Sequence, residues 1–63
     1  MQPHQERVIT EKSELDTKIE KLTAFIGGSV FLALPVPEQM RLSAQLGFMN
    51  MYSNVLGERI AAF

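Results

Sequence analysis

Apolar residues in the first half of the chain recur in steps of three and four, at Val8, Leu15, Ile19, Leu22 and Ile26. That spacing puts them on one stripe of an α-helix. The slot the period expects at position 12 holds Lys12. A second stripe runs through Leu42, Leu46, Met49, Leu56 and Ile60 and extends to Phe63; its slot at position 53 holds Ser53. Beside this stripe lies another apolar set, Phe48, Tyr52 and Val55, with Met51 further round. The second helix is therefore apolar over more than one face. One face covers the first helix, and the remainder needs a partner.

Local signals bound these helices. Pro3 suits a first helical turn, where its missing N–H costs nothing. Phe25 widens the stripe at its end, and Gly27-Gly28 stops the helix, because glycine readily takes the left-handed C-terminal conformation. Ser29 reads as an N-cap. Val30 to Leu34 is too short for a packed helix and predicts a single helical turn that tucks Phe31 and Leu34 over the hairpin end. Pro35 forces an extended residue before it. Pro37 repeats the first-turn signal, and Glu38 suits the positive end of a new helix. The sequence thus predicts an all-α fold with a single domain over residues 1–63. It is an antiparallel two-helix hairpin, with helices over about 3–26 and 37–61 and a short helical turn over 29–34. Helices of this size are roughly 35 Å long at 1.5 Å per residue. Two alone form a ribbon without an enclosed core, so a homodimer making a four-helix bundle, or a higher homo-oligomer, is expected.

Charge sharpens this picture. Nine of the thirteen Asp, Glu, Lys and Arg residues lie between Glu6 and Lys21, and the later half holds only Glu38, Arg41, Glu58 and Arg59. The first helix keeps a wet face. It offers Glu14–Lys18 in the better i,i+4 orientation, and Arg7–Glu11 and Lys12–Asp16 in the poorer one. A net charge of −1 gives no footprint for DNA or RNA. The sixteen uncharged residues from Leu42 to Gly57 are too few and too polar to span a bilayer, so no membrane partner is expected. The polar start, MQPHQER, does not read as a secretory signal. Gly47 and Gly57 each cost a helix roughly 1 kcal/mol against alanine. They are either tolerated or mark a close approach by another backbone or a ligand.

Laid antiparallel, the two breaks in the seams fall in nearly the same layer. Lys12 lies fourteen residues before Ile26, and fourteen beyond Pro37 is Met51, within a turn of Ser53. A single polar layer in a bundle fixes register or oligomer state, and a lysine at a seam edge extends its ammonium to water. The same residues also suit a cleft at a subunit boundary, with Tyr52 stacking on a base and Lys12 or Arg59 meeting phosphate. Catalytic chemistry is missing. The chain has no cysteine and a single histidine, His4. Gly27-Gly28-Ser29 lacks the pattern and lysine of a P-loop. Glu11 and Glu14 read as solvated carboxylates, and Met40, Met49 and Met51 as fillers of core and interface gaps. No enzyme activity, metal site or cofactor is expected.

The pattern QERVITEKSELDTKIEKLTAFI, followed by YSNVLGERI after a proline-bounded connection, resembles a family of small phage and prophage helical proteins related to a crAss-type phage protein. The resemblance covers nearly the whole chain. It is most specific at Arg7-Val8, Glu11-Lys12, Glu14-Leu15-Asp16, Lys21-Leu22, Phe25-Ile26, Tyr52-Ser53 and Arg59-Ile60. Members of that family tend to be charged where this chain has Leu42-Ser43-Ala44 and Gly47-Phe48, a departure that favours a larger buried interface here. The resemblance implies a phage origin and a compact helical protein. By analogy of architecture with small oligomeric phage sponges, the expected function is counter-defence. The protein would bind and sequester a bacterial immune nucleotide signal, cyclic or ADP-ribose-type, in the host bacterial cytoplasm without catalysis. The expected ligand-binding residues are Arg7, Lys12, Tyr52, Ser53 and Arg59. The alternative is an oligomeric protein-interaction module that docks Phe48, Met51, Tyr52 and Val55 on a host protein and inhibits it.

Overall fold

The computed structural model describes residues 1–63 and is all-α. It consists of α1 (Pro3–Ile26), α2 (Ser29–Ala33) and α3 (Val36–Ala61). The long helices pack side by side in a rod of 46 × 14 × 13 Å, and α2 closes one end. The Cα radius of gyration, 14.5 Å, exceeds the roughly 10.6 Å of a compact chain of this length.

α1 starts at Pro3, where the Gln2 backbone N–H donates to Gln5 Oε1 at 3.0 Å and Glu6 sits at the positive helix end. Its exit differs from the expected left-handed cap. Gly27 is right-handed, at φ −77° and ψ −3°, and no residue has positive φ. The last turn tightens instead, with the Gly28 N–H donating to the Phe25 carbonyl at 3.1 Å. Gly28 then takes the extended conformation (φ −100°, ψ 172°) and is itself the N-cap of α2. Ser29 is therefore already helical rather than capping. Both glycines thus sit in conformations open to any residue, and handedness does not end α1.

α2 buries Phe31, whose ring meets Phe25 edge-on with centroids 6.4 Å apart. Leu34 is extended before Pro35, and α3 begins at Val36 with Pro37 in its first turn. Gln39 Nε2 donates to the Leu34 carbonyl at 2.8 Å and the Leu32 carbonyl at 3.3 Å, tying the connection to α3.

The core is the meeting of the two seams. Val8, Leu15 and Leu56 are buried, and Ile19, Met49 and Ile60 pack on them. Phe63 lies beyond the end of α3 and is 45 % exposed, so the inward stripe ends at Ile60. Of the methionines expected to fill gaps, Met49 does so, whereas Met40 and Met51 lie at the surface. The outer face of α3 is open, with Phe48 71 % and Met51 65 % exposed. The whole chain exposes 4658 Å², against about 4,100 Å² for a compact monomer of its mass. Two ion pairs form, Lys12–Asp16 at 2.9 Å and Glu38–Arg41 at 2.8 Å. Glu14–Lys18 and Arg7–Glu11 do not close, because solvated partners gain too little to hold two long side chains in one geometry. No helix is long and apolar enough to cross a membrane.

Leu56 is only 1 % exposed at the centre of this thin core. Leu56→Ala is expected to cost about 2–5 kcal/mol, and Phe63→Ala less than about 0.5 kcal/mol. Urea unfolding followed by circular dichroism checks this; equal effects would contradict the placement of the core.

Candidate functional site

The two polar interruptions meet across the helix pair. Lys12 Nζ donates to Ser53 Oγ at 2.9 Å and to Asp16 Oδ2 at 2.9 Å, and the Ser53 hydroxyl donates to Asp16 Oδ1 at 2.5 Å. The three side chains thus close a ring of hydrogen bonds. Ser53 is buried, while the side chains of Lys12 and Asp16 are 30 % and 47 % exposed. The lysine stem runs over Gly57, where an added Cβ would lie 3.4 Å from Lys12 Cε. What approaches Gly57 closely is therefore a side chain of the same chain, and a Cβ added at Gly47 would meet nothing within 4 Å.

The electrostatics follow from this ring. The Ser53 hydroxyl first, and the Lys12 ammonium second, stabilise the Asp16 carboxylate and hold its pKa below the ordinary 3.8. Asp16 in turn neutralises Lys12, so in this state the ammonium is not a free cation. By spacing alone, Lys12–Asp16 is one weak surface pair among three. The signal for its role was present: Asp16 lies one turn from Lys12 on the edge that meets Ser53.

The other candidate residues project elsewhere. Tyr52 is 46 % exposed on α3, beside Phe48 and Gln45 and in line with Arg41. Arg59 lies seven residues on from Tyr52, on the same stripe of α3. Arg7 lies on α1 among Glu6, Glu11 and Glu14. At 100° per residue, Arg7 leaves the α1 seam on the edge opposite Asp16, and Tyr52 leaves the α3 seam on the edge opposite Gly57. The Lys12–Gly57 contact fixes which edges are paired. Arg7, Tyr52 and Arg59 therefore share the other edge of the hairpin. Because Lys12 faces Ser53, the fifth residue before Lys12, Arg7, is level with the fifth beyond Ser53, Glu58, which puts Arg7 within one residue of the height of Arg59. The structure thus brings Lys12 and Ser53 into contact inside the layer and sets Arg7, Tyr52 and Arg59 along one outer edge. No cluster of three or more His, Cys, Asp or Glu side chains suits a metal ion.

A family model described as Sequestin matches residues 2–62. No curated protein and no solved structure matches the chain.

The ring of hydrogen bonds predicts an acid-sensitive register. Asp16 has a lowered folded-state pKa, so its contribution is complete above 3.8 and is lost as pH falls through that value and below. Asp16→Asn is expected to be less stable than the parent near neutral pH. The gap should narrow as pH falls from about 6 to about 3. Paired thermal melts across that range measure it, and a constant gap would contradict the role given to Asp16.

Proposed function

The chain belongs to the Sequestin family, and on that premise we propose that it acts by sequestration. It binds an anionic nucleotide signal of bacterial immunity, cyclic or ADP-ribose-type, and lowers the free concentration of that signal without transforming it. This is a counter-defence role for a protein of phage origin, akin to the relatives of crAss-type phages, working in the host bacterial cytoplasm. The protein does so as a homo-oligomer in which hairpins pair into a four-helix bundle.

The observation that supports this reading best is the shared edge of Arg7, Tyr52 and Arg59. Arg7 and Arg59 lie within one residue of the same height. Seven residues along α3, about 10 Å at 1.5 Å per residue, stands an exposed aromatic ring. That spacing matches a ligand with phosphates at one end and a base at the other. Arginine is suited to phosphate by its planar fork of donors, and tyrosine to a base by its face. Glu6, Glu11 and Glu14 flank Arg7 and limit the negative charge tolerated on the α1 side, so Tyr52 and Arg59 are the principal contacts. Lys12 and Ser53 act from within, holding α3 at the height that aligns this edge.

Thermal shift and calorimetry with a panel of cyclic dinucleotides and cyclic ADP-ribose isomers test the proposal. A ligand at one hundred times its Kd is expected to add about 2.7 kcal/mol of stability and to be recovered intact. Tyr52→Ala and Arg59→Ala should each weaken binding about tenfold or more while helicity by circular dichroism is retained. Absence of any shift across the panel, or recovery of a cleaved ligand, would overturn it.

A further inference from the structure

The outer face of α3 carries a second seam that the hairpin leaves uncovered. Steps of three and four connect Arg41, Ala44, Phe48, Met51, Val55 and Glu58, and every one of these residues is exposed. At 100° per residue this seam lies on the far side of α3 from Leu42, Leu46, Met49, Ser53 and Leu56. Its apolar middle is bounded by the only four charges of the helix, Glu38 and Arg41 at one end and Glu58 and Arg59 at the other.

We propose that a second copy of this chain packs antiparallel on this seam, about a two-fold axis between Met49 and Asn50. The proposal rests on the self-association argued above and supplies its face, direction and register; it does not depend on any nucleotide. About that axis Phe48 meets Met51 of the second copy, and Ala44 meets Val55, a small residue against a larger one in the same layer. The charges then complement one another twice. Arg41 falls level with Glu58 of the second copy, and Glu38, on the flank, falls beside Arg59. The intrachain Glu38–Arg41 bond of 2.8 Å joins the two contacts into one network at each end. A parallel pairing sets each residue against its own copy, Arg41 against Arg41 and Glu58 against Glu58, which like charges oppose. Area argues the same way. The protomer exposes several hundred Å² more than a compact chain of its mass, Phe48, Met51 and Val55 on this face are each more than half exposed, and a stable dimer buries about 800 Å² per partner. Tyr52 stands on the flank of the seam near Gln45 of the second copy, so the dimer leaves it at the lip of a groove.

Sedimentation equilibrium of the full chain, from low micromolar to about 200 μM, tests this, with circular dichroism confirming helicity. The wild type is expected to be dimeric. Arg41→Glu and Glu58→Arg should each weaken the dimer about tenfold or more, since each converts two attractions into repulsions. The double variant R41E/E58R should return to within about threefold of wild type. A wild type that stays monomeric throughout would overturn self-association together with this inference. A dimer insensitive to both swaps, or single losses that the double variant does not repair, would overturn this interface alone. Nucleotide binding, measured separately, is not decided by either result.

Discussion

The interaction on which the rest of the molecule depends is the Lys12–Ser53–Asp16 ring, the one polar layer between the two long helices. An apolar seam gains nearly the same free energy from any register that keeps it covered, so burial alone does not choose one. The lysine does. A slide of α3 by one turn would set its ammonium against Leu56, which accepts no hydrogen bond, or Met49, whose thioether is a weak acceptor, and would strip Asp16 of the Ser53 hydroxyl. The gain in stability is modest, because two of the three side chains are part-exposed. The gain in specificity is larger, and it is the use of a buried polar group best supported by physics.

From that register the surface of the hairpin follows. It sets Arg7 and Arg59 within one residue of the same height and Tyr52 seven residues along the same edge. It also fixes the far side of α3 as an open seam. The core is too thin to hold the chain with much margin: Val8, Leu15 and Leu56 are buried where the long helices meet, and Phe31 is buried at the hairpin end. A second copy on α3 would give the rod the enclosed interior that two helices cannot make by themselves. Binding edge and association face are then neighbours on one helix, which couples the shape of any ligand groove to the presence of the second subunit.

Much of this was legible in the sequence because the governing signal is periodic. The steps from Val8 to Ile26 and from Leu42 to Ile60 name the two seams, and their interruptions name the pair that meets. Other features were not legible, for physical reasons. Asp16 looks like an ordinary i,i+4 partner until the second helix brings Ser53 against it. Which residue between α1 and α2 becomes extended is decided by closing the hairpin, not by local preference, so Gly28 caps where Ser29 has the better side chain. The direction of Tyr52 needed the handedness of edge pairing, which the Lys12–Gly57 contact supplies.

The register is tested most directly by nuclear Overhauser contacts of the Lys12 side chain in isotopically labelled protein. Cross-peaks are predicted from the Lys12 ε-methylene to the Gly57 α-protons and to the Ser53 β-protons, since Lys12 Cε lies 3.4 Å from where a Gly57 Cβ would stand and Lys12 Nζ lies 2.9 Å from Ser53 Oγ. Contacts displaced by a turn along α3, or a lysine tip with no contact to α3 while both helices stay intact, would contradict it.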